Sequence, residues 1–217
     1  MFDAATARRL MVDGQVRTAD VTDAALLEAM LTVPRERFLP PALAPLAYLD
    51  ADIQVGKGRA LLRPMVLAKL LQAARIRAGE RVLDIGCATG YSAAILARLG
   101  ASVVALEEDA DLAKAAQSAL SGQGIANSEV VTGPLAAGWP AGAPYDLILL
   151  DGAAEIVPQA LGSQLKADGE LIGISGRPPA LKGMIYRFIE GRFVGLPIFD
   201  AAACLLPGFR TPPTFVF

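Results

Sequence analysis

The chain contains no histidine, and only Cys87 and Cys204 among its 217 residues are cysteines. Without histidine there is no Ser-His-Asp or Cys-His catalysis, and most zinc and iron sites lose their usual ligand. Two cysteines make neither a disulfide framework nor a thiolate metal cluster, which points to a reducing, cytoplasmic setting and to no bound metal. No apolar run approaches the roughly 18 residues that a membrane helix needs. The stretch Met1 to Arg9 has no basic region followed by an apolar one, so no secretory signal is expected. An excess of one charge sign is also lacking. The 20 Lys and Arg residues against 22 Asp and Glu residues give a net charge of -2 and a pI near 5.3, which argues against a dedicated nucleic-acid surface. Chemistry in such a chain must run on carboxylates, Lys, Tyr, backbone amides or a bound cofactor.

What is present is apolar content, at 53%, enough for one packed core and too much for a disordered chain. The length suits one domain with a small added segment. Residues 1–78 read as helices and loops. Ala4 to Asp13 suits a helix, and Thr22-Asp23 can cap a second that carries Ala25, Leu26, Ala29 and Met30 and stops before Pro34. Pro64 can open a third helix over Met65 to Ile76. Between them Asp50 to Arg63 reads as extended. Residues 79–217 read as one compact unit. Short apolar runs (Arg81 to Ile85, Ser102 to Leu106, Val130 to Thr132, Leu147 to Leu150, Leu171 to Ile174) alternate with helical stretches (Ser92 to Leu99, Asp109 to Leu120, Pro158 to Leu165). That alternation predicts βαβ units and a mostly parallel sheet. Met184 to Ile189 and Phe193 to Leu196, around Glu190-Gly191, predict an antiparallel hairpin that closes the sheet. The tail from Pro207 to Phe217 is expected to lie across the surface.

The most informative stretch is Val82-Leu83-Asp84-Ile85-Gly86-Cys87-Ala88-Thr89-Gly90-Tyr91. A strand runs into a glycine-bearing turn and then a helix. Gly86 allows the turn, and Gly90 lets the helix begin close to a ligand whose anionic group the backbone N–H groups can receive. Glu107 ends the next strand, 23 positions after Asp84, the spacing of a carboxylate that binds two ribose hydroxyls. A nicotinamide fingerprint fits poorly, because Ala88 and Tyr91 stand where its second and third glycines would be. The acidic-x-Gly-x-(Gly/Ala)-x-Gly order is the S-adenosylmethionine form, with Asp84 near the methionine ammonium. Candidate cofactor contacts are Asp84, Gly86, Cys87, Ala88, Gly90, Tyr91, Glu107, Glu108, Gly133 and Asp151. Asp151 follows Leu147 to Leu150. It either faces the methyl donor or substrate, or caps the turn Gly152-Ala153-Ala154. Tyr91 and Ser92 either touch cofactor or serve as caps and packing. Trp139 packs near an adenine or anchors a loop. Cys87 reads as a small filler rather than a reactive thiol.

Beyond that turn, the sequence resembles the protein-L-isoaspartate O-methyltransferase family. The resemblance is carried by Met11-Val12, Gln15, Arg17, Thr22-Asp23, Leu27, Ala29-Met30, Val33-Pro34-Arg35, Phe38 and Pro40 in the leader. Ala47-Tyr48, Asp52, Leu83 to Ala94, Ala143-Pro144-Tyr145-Asp146 and Gln164-Leu165-Lys166 with Gly169 continue it. It implies a Rossmann-like S-adenosylmethionine-dependent methyltransferase sheet with added N-terminal helices. It also implies methyl transfer to the free carboxylate of isoaspartyl residues in damaged proteins, and cofactor contacts at Asp84, Gly86, Gly90 and Glu107.

The chain departs from the family in two places. The family's loop of the form Gly-x-Gly-Gln-Thr-Ile-Ser-x-Pro, whose hydroxyls meet the substrate carboxylate and the reacting centre, reads here Gly56-Lys57-Gly58-Arg59-Ala60-Leu61-Leu62-Arg63-Pro64, so Ala60 and Leu62 replace the threonine and the serine. Losing a positioned donor at a reacting centre costs on the order of 10²-fold. Arg59 and Arg63 are either holders of an anionic acceptor or solvent-facing loop charges, the latter slightly preferred, and with Asp151 they are the catalytic candidates. After the strand at Val130, Thr132-Gly133-Pro134-Leu135 lacks the family's Asp for the adenine amino group. Two alternatives to isoaspartyl repair stand: methylation of another anionic acceptor, and a non-catalytic member that binds the cofactor or a protein.

Overall fold

The computed structural model describes residues 3–56 and 58–212. The chain opens with helix α1 (Ala4–Met11), capped by the Asp3 carboxylate, which accepts from Ala5 N at 3.1 Å and Thr6 N at 3.3 Å. A π-helical turn (Val12–Val16) continues it. Helix α2 (Ala24–Thr32) starts at Asp23, whose side chain accepts from Leu26 N at 2.9 Å, and ends before Pro34. Strands β1 (Ile53–Gly56) and β2 (Arg59–Leu61) pair antiparallel as a small hairpin, and Pro64 then opens helix α3 (Pro64–Ala74).

The rest is the expected alternation: β3 (Arg81–Ile85), α4 (Tyr91–Arg98), β4 (Ser102–Glu107), α5 (Ala110–Gly122), β5 (Ser128–Thr132), β6 (Tyr145–Ala154), β7 (Leu165–Arg177), β8 (Ala180–Ile189) and β9 (Arg192–Asp200). The seven strands from β3 onward form one sheet in the order β5-β4-β3-β6-β7-β8-β9. The first four pairings across it are parallel, and β7-β8 and β8-β9 are antiparallel. The strand order reverses between β3 and β6, where such sheets leave a crevice at the carboxyl ends of the strands.

Side chains alternate across each strand, so the sheet separates two apolar layers. Val82, Val103, Ala105, Leu147 and Leu149 face the layer that includes Met11, Leu26, Met30, Phe38, Leu67 and Leu70 of the N-terminal segment. Leu83, Ile85, Val104, Leu106, Ile148 and Leu150 face the other, with Tyr145, Leu161, Leu206 and Phe209. By the same alternation Asp84, Glu107 and Asp151 project toward the N-terminal helices. Among the described residues, no helix is long and apolar enough to cross a membrane.

Two expectations need correction and one a refinement. The stretch Pro158 to Leu165 is a short 3-10 run (Gln159–Gln164) rather than an α-helix. Gly162 there lies flat against the Phe188 ring, where any side chain would collide, so close packing onto β8 displaces regular helix. The tail runs along the surface as far as residue 212, with Gly208, Arg210 and Pro212 exposed, except that Phe209 turns inward and is fully buried, its carbonyl accepting from Glu155 N and Ile156 N. Its last five residues, 213–217, lie outside the described ones. Finally, Gly152-Ala153-Ala154 is no turn but the end of β6, so Asp151 caps nothing.

Candidate functional site

The turn between β3 and α4 adopts the backbone its glycines permit. Gly86 has φ +82° and Gly90 φ +91°, both in the region that side chains disfavour. Ala88 also has a positive φ, +50°, without the excuse of lacking a Cβ. Its N–H donates to Glu107 Oε2 at 2.8 Å, which fixes the peptide in place.

Three buried carboxylates gather around this turn. Asp84 accepts from the Ser92 hydroxyl at 2.6 Å on Oδ2, while its Oδ1 has no partner. Asp151, at the carboxyl end of the neighbouring strand β6, likewise has an unpartnered Oδ1. Burial, and then the neighbouring Asp151, push the Asp84 carboxyl well above its usual range. Burial also lifts Asp151 to about 6, against the opposing pull of Ser92, Arg59 and Arg35. An orphaned carboxylate oxygen in a closed interior signals a missing donor. A primary ammonium, with several N–H donors and a positive charge, suits two such oxygens on neighbouring strands.

Glu107 is different. Its oxygens accept from Ala88 N at 2.8 Å, Glu108 N at 2.9 Å and Asp109 N at 3.3 Å. They are also paired with Arg59, through Nη2 at 2.9 Å and Nε at 3.3 Å from both oxygens. Arg59 Nη2 donates in addition to the Gly86 carbonyl. The slight preference for Arg59 as a solvent-facing charge is therefore overturned: Arg59 is 3% exposed and crosses from β2 into the cradle. The pairing of residues 48 positions apart depends on where the β1–β2 hairpin packs against the large sheet, which local sequence does not show. Arg63 is half-buried and bonded to Asp52, through both its backbone N–H at 2.8 Å and its Nε at 3.4 Å.

The remaining candidates divide by location. Cys87 is fully buried, and burial with the adjacent carboxylates holds its thiol well above the usual value, which keeps it unreactive. Tyr91 is buried edge-on to Phe38, and the Arg35 guanidinium lies 4.6 Å from its ring centre. Ser92 reaches Asp84 as a hydrogen-bond donor. Glu108 is exposed. Gly133 donates to the Glu107 carbonyl at 3.1 Å, and a side chain on it would meet the Trp139 ring at 3.4 Å. Pro134 is exposed. Ala60 and Leu62, at the lost hydroxyl positions, are buried in apolar packing.

Sequence reasoning missed Arg35. It is completely buried, donates to the Ala47 carbonyl at 2.8 Å and the Leu62 carbonyl at 2.7 Å, and so ties the leader to the loop that follows β2. Its Nη1 has no partner. An Arg inside the Val-Pro-Arg stretch was the available signal, but its reach to Leu62 is a tertiary fact. Among the described residues, no group of three or more His, Cys, Asp and Glu side chains is arranged to hold a metal ion.

The carboxylates and the turn suit S-adenosylmethionine in chemistry, since two orphaned oxygens await an ammonium and a third carboxylate stands at the end of β4. The space in front of Gly86, however, is filled by the chain's own Arg59 and Leu206.

Comparison with known proteins places the chain in a family. The profile of the family described as Protein-L-isoaspartate(D-aspartate) O-methyltransferase (PCMT) matches residues 7–176. A protein-L-isoaspartate O-methyltransferase of Methylorubrum extorquens (strain PA1) is 43% identical over 176 residues, covering 81% of this chain and 77% of that protein. One from Methanoculleus marisnigri is 36% identical over 202 residues, covering 92% and 90%. Among solved structures, a protein-L-isoaspartate O-methyltransferase superposes with TM-score 0.80 at 24% identity, covering 93% of this chain and 66% of that one. A Plasmodium falciparum structure assigned to the same activity, in complex with S-adenosyl-L-homocysteine, superposes with TM-score 0.78 at 17% identity, covering 95% and 99%. These two bear on the fold alone. With its leader, its sheet and its carboxylate-lined turn, the chain belongs to the protein-L-isoaspartate O-methyltransferase family.

Proposed function

We propose that the protein transfers a methyl group from S-adenosylmethionine to the free carboxylate of isoaspartyl residues in proteins. The observation that carries this reading is the pair of orphaned oxygens on Asp84 and Asp151, on the two sides of the strand-order reversal, in a chain of this family. Asp84 and Asp151 hold the ammonium end of the cofactor. Glu107, backed by three backbone N–H groups, is the acceptor for the ribose hydroxyls. Gly86 and Gly90 let the backbone come close to the ligand.

The bound cofactor supplies an electrophilic methyl group on a sulfonium. The acceptor needs no general base, because a carboxylate with an ordinary pKa near 4 is already ionised at neutral pH. This suits a chain without histidine. What the protein contributes is alignment and a dry site. Arg35 serves alignment by holding the Leu62 carbonyl, and so the path of the chain after β2. Arg63, next to that carbonyl and half-exposed, is the cation placed to meet an anionic acceptor.

The apolar burial of Ala60 and Leu62 favours one second reading, methyl transfer to a different anionic acceptor. Labelled S-adenosylmethionine with a matched pair of peptides, one isoaspartyl and one normal aspartyl, separates the two. Label on the isoaspartyl peptide alone supports repair, and label on neither rejects it. Under the repair reading, Leu62→Ser preserves or raises turnover on the isoaspartyl peptide.

A further inference from the structure

Arg59 fills the space in front of Gly86. It grips the two groups that define the cradle, the Glu107 carboxylate and the Gly86 carbonyl. A side-chain carbon added to Gly86 would lie 2.6 Å from Arg59 Nη2 and 2.9 Å from Leu206 Cδ2. The opening that a glycine leaves for close approach is thus occupied from within. Leu206 is brought there by a strap that runs along the end of β6, where Ala153 N donates to the Cys204 carbonyl and Leu206 N to the Ala153 carbonyl, both at 2.8 Å. Its Cδ2 would also lie 2.6 Å from a carbon added to Gly152.

The charges follow the same pattern. Asp84, Glu107 and Asp151 are buried together, and buried carboxylates need a cation or a proton. Arg59 is the cation bonded within this group. S-adenosylmethionine, with sulfonium, ammonium and carboxylate, carries one net positive charge, the same as a guanidinium.

Resting on the assignment of S-adenosylmethionine as the ligand, we propose that Arg59 is a displaceable internal cation that, with Leu206, closes the cofactor cradle. The cofactor binds only when the guanidinium leaves Glu107 and Gly86. Affinity is then the intrinsic affinity reduced by the fraction of molecules with Arg59 displaced. Removing the guanidinium removes that reduction. Glu107 stays satisfied in its absence, because three backbone N–H groups still donate to it.

The test is calorimetric titration of the full-length protein and of Arg59→Gln with S-adenosylmethionine and S-adenosylhomocysteine, with thermal melts to confirm folding. Alongside it, phenylglyoxal labelling of wild-type arginines, read by peptide mass spectrometry with and without saturating S-adenosylhomocysteine, needs no variant. The expected result is binding about tenfold or more tighter in Arg59→Gln, and an Arg59 that becomes reactive when ligand is bound. Equal or weaker binding in a folded Arg59→Gln, or an Arg59 that stays protected in the ligand-saturated wild type, overturns the displacement while leaving the cofactor assignment standing. No binding of either compound to either protein overturns the cofactor assignment and the displacement together.

Discussion

The two ends of the cradle are built from the same residue type and are left in opposite states. At the carboxyl ends of β3 and β6, Asp84 and Asp151 each keep one oxygen without a donor. At the end of β4, Glu107 is saturated by three backbone N–H groups and a guanidinium. The difference lies in what surrounds each carboxylate. Glu107 sits where the Ala88 peptide and the first amides before α5 converge, so backbone donors satisfy its oxygens. Asp84 and Asp151 project from the strands themselves, where neighbouring amides are committed to the sheet. Burial there favours the protonated acid, and the ionised form needs a cation brought by a ligand.

The largest test of this contrast is Glu107→Gln. The variant leaves Arg59 buried without its carboxylate and turns an amide NH₂ toward backbone donors. It should cost about 3–5 kcal/mol, and thermal unfolding should show a fall of roughly 6–20 °C for a chain of this size. A melt like that of the wild type would mean the pair is not holding the cradle. Arg35→Ala comes next. It frees the Ala47 and Leu62 carbonyls and removes the contact with the Tyr91 ring. Its expected cost is about 2–4 kcal/mol in denaturant unfolding.

Asp151→Asn sharpens the other end through pH. The folded protein raises the Asp151 pKa from 3.8 to about 6, so it favours the protonated acid. The contribution to stability is fully present below pH 3.8 and is lost as pH rises through about 6. An amide does not titrate. The variant should therefore gain on the wild type by on the order of 1–3 kcal/mol between pH 4 and pH 8, read as the difference between two series of melts. A difference independent of pH would remove Asp151 from the buried pair. The smallest effect is expected far from both ends. Asp23→Ala removes the cap of α2, should cost about 1 kcal/mol, and should leave cofactor affinity untouched in the same titration.

Much of the fold was legible because it rests on local chemistry. Arg81 to Ile85 is a strand to the residue, since an apolar run bounded by Glu80 and Gly86 has few alternatives. Asp23 caps α2 and Pro64 opens α3 for reasons that concern only their neighbours in sequence. Asp84, Gly86, Gly90 and Glu107 were readable as a set, because turn, strand end and spacing all follow from one βαβ unit. The 3-10 run at Gln159–Gln164 was not readable, because Phe188 on a later strand determines it. Phe209 was not readable either. Its burial depends on backbone bonds to Glu155 and Ile156, which belong to another part of the chain.

Sequence by itself determined the strand order's ingredients, the glycine-bearing turn between β3 and α4, the family, and the loss of two hydroxyls at Ala60 and Leu62. Each is written in periodicity, glycine placement or residue identity. Only the tertiary structure decided that Arg59 leaves the solvent to meet Glu107, that Arg35 reaches Leu62, and that Leu206 lies over Gly86. Those contacts join residues 48, 27 and 120 positions apart. Hydrogen bonds and packing at such separations depend on which faces the sheet brings together, and no local pattern encodes that.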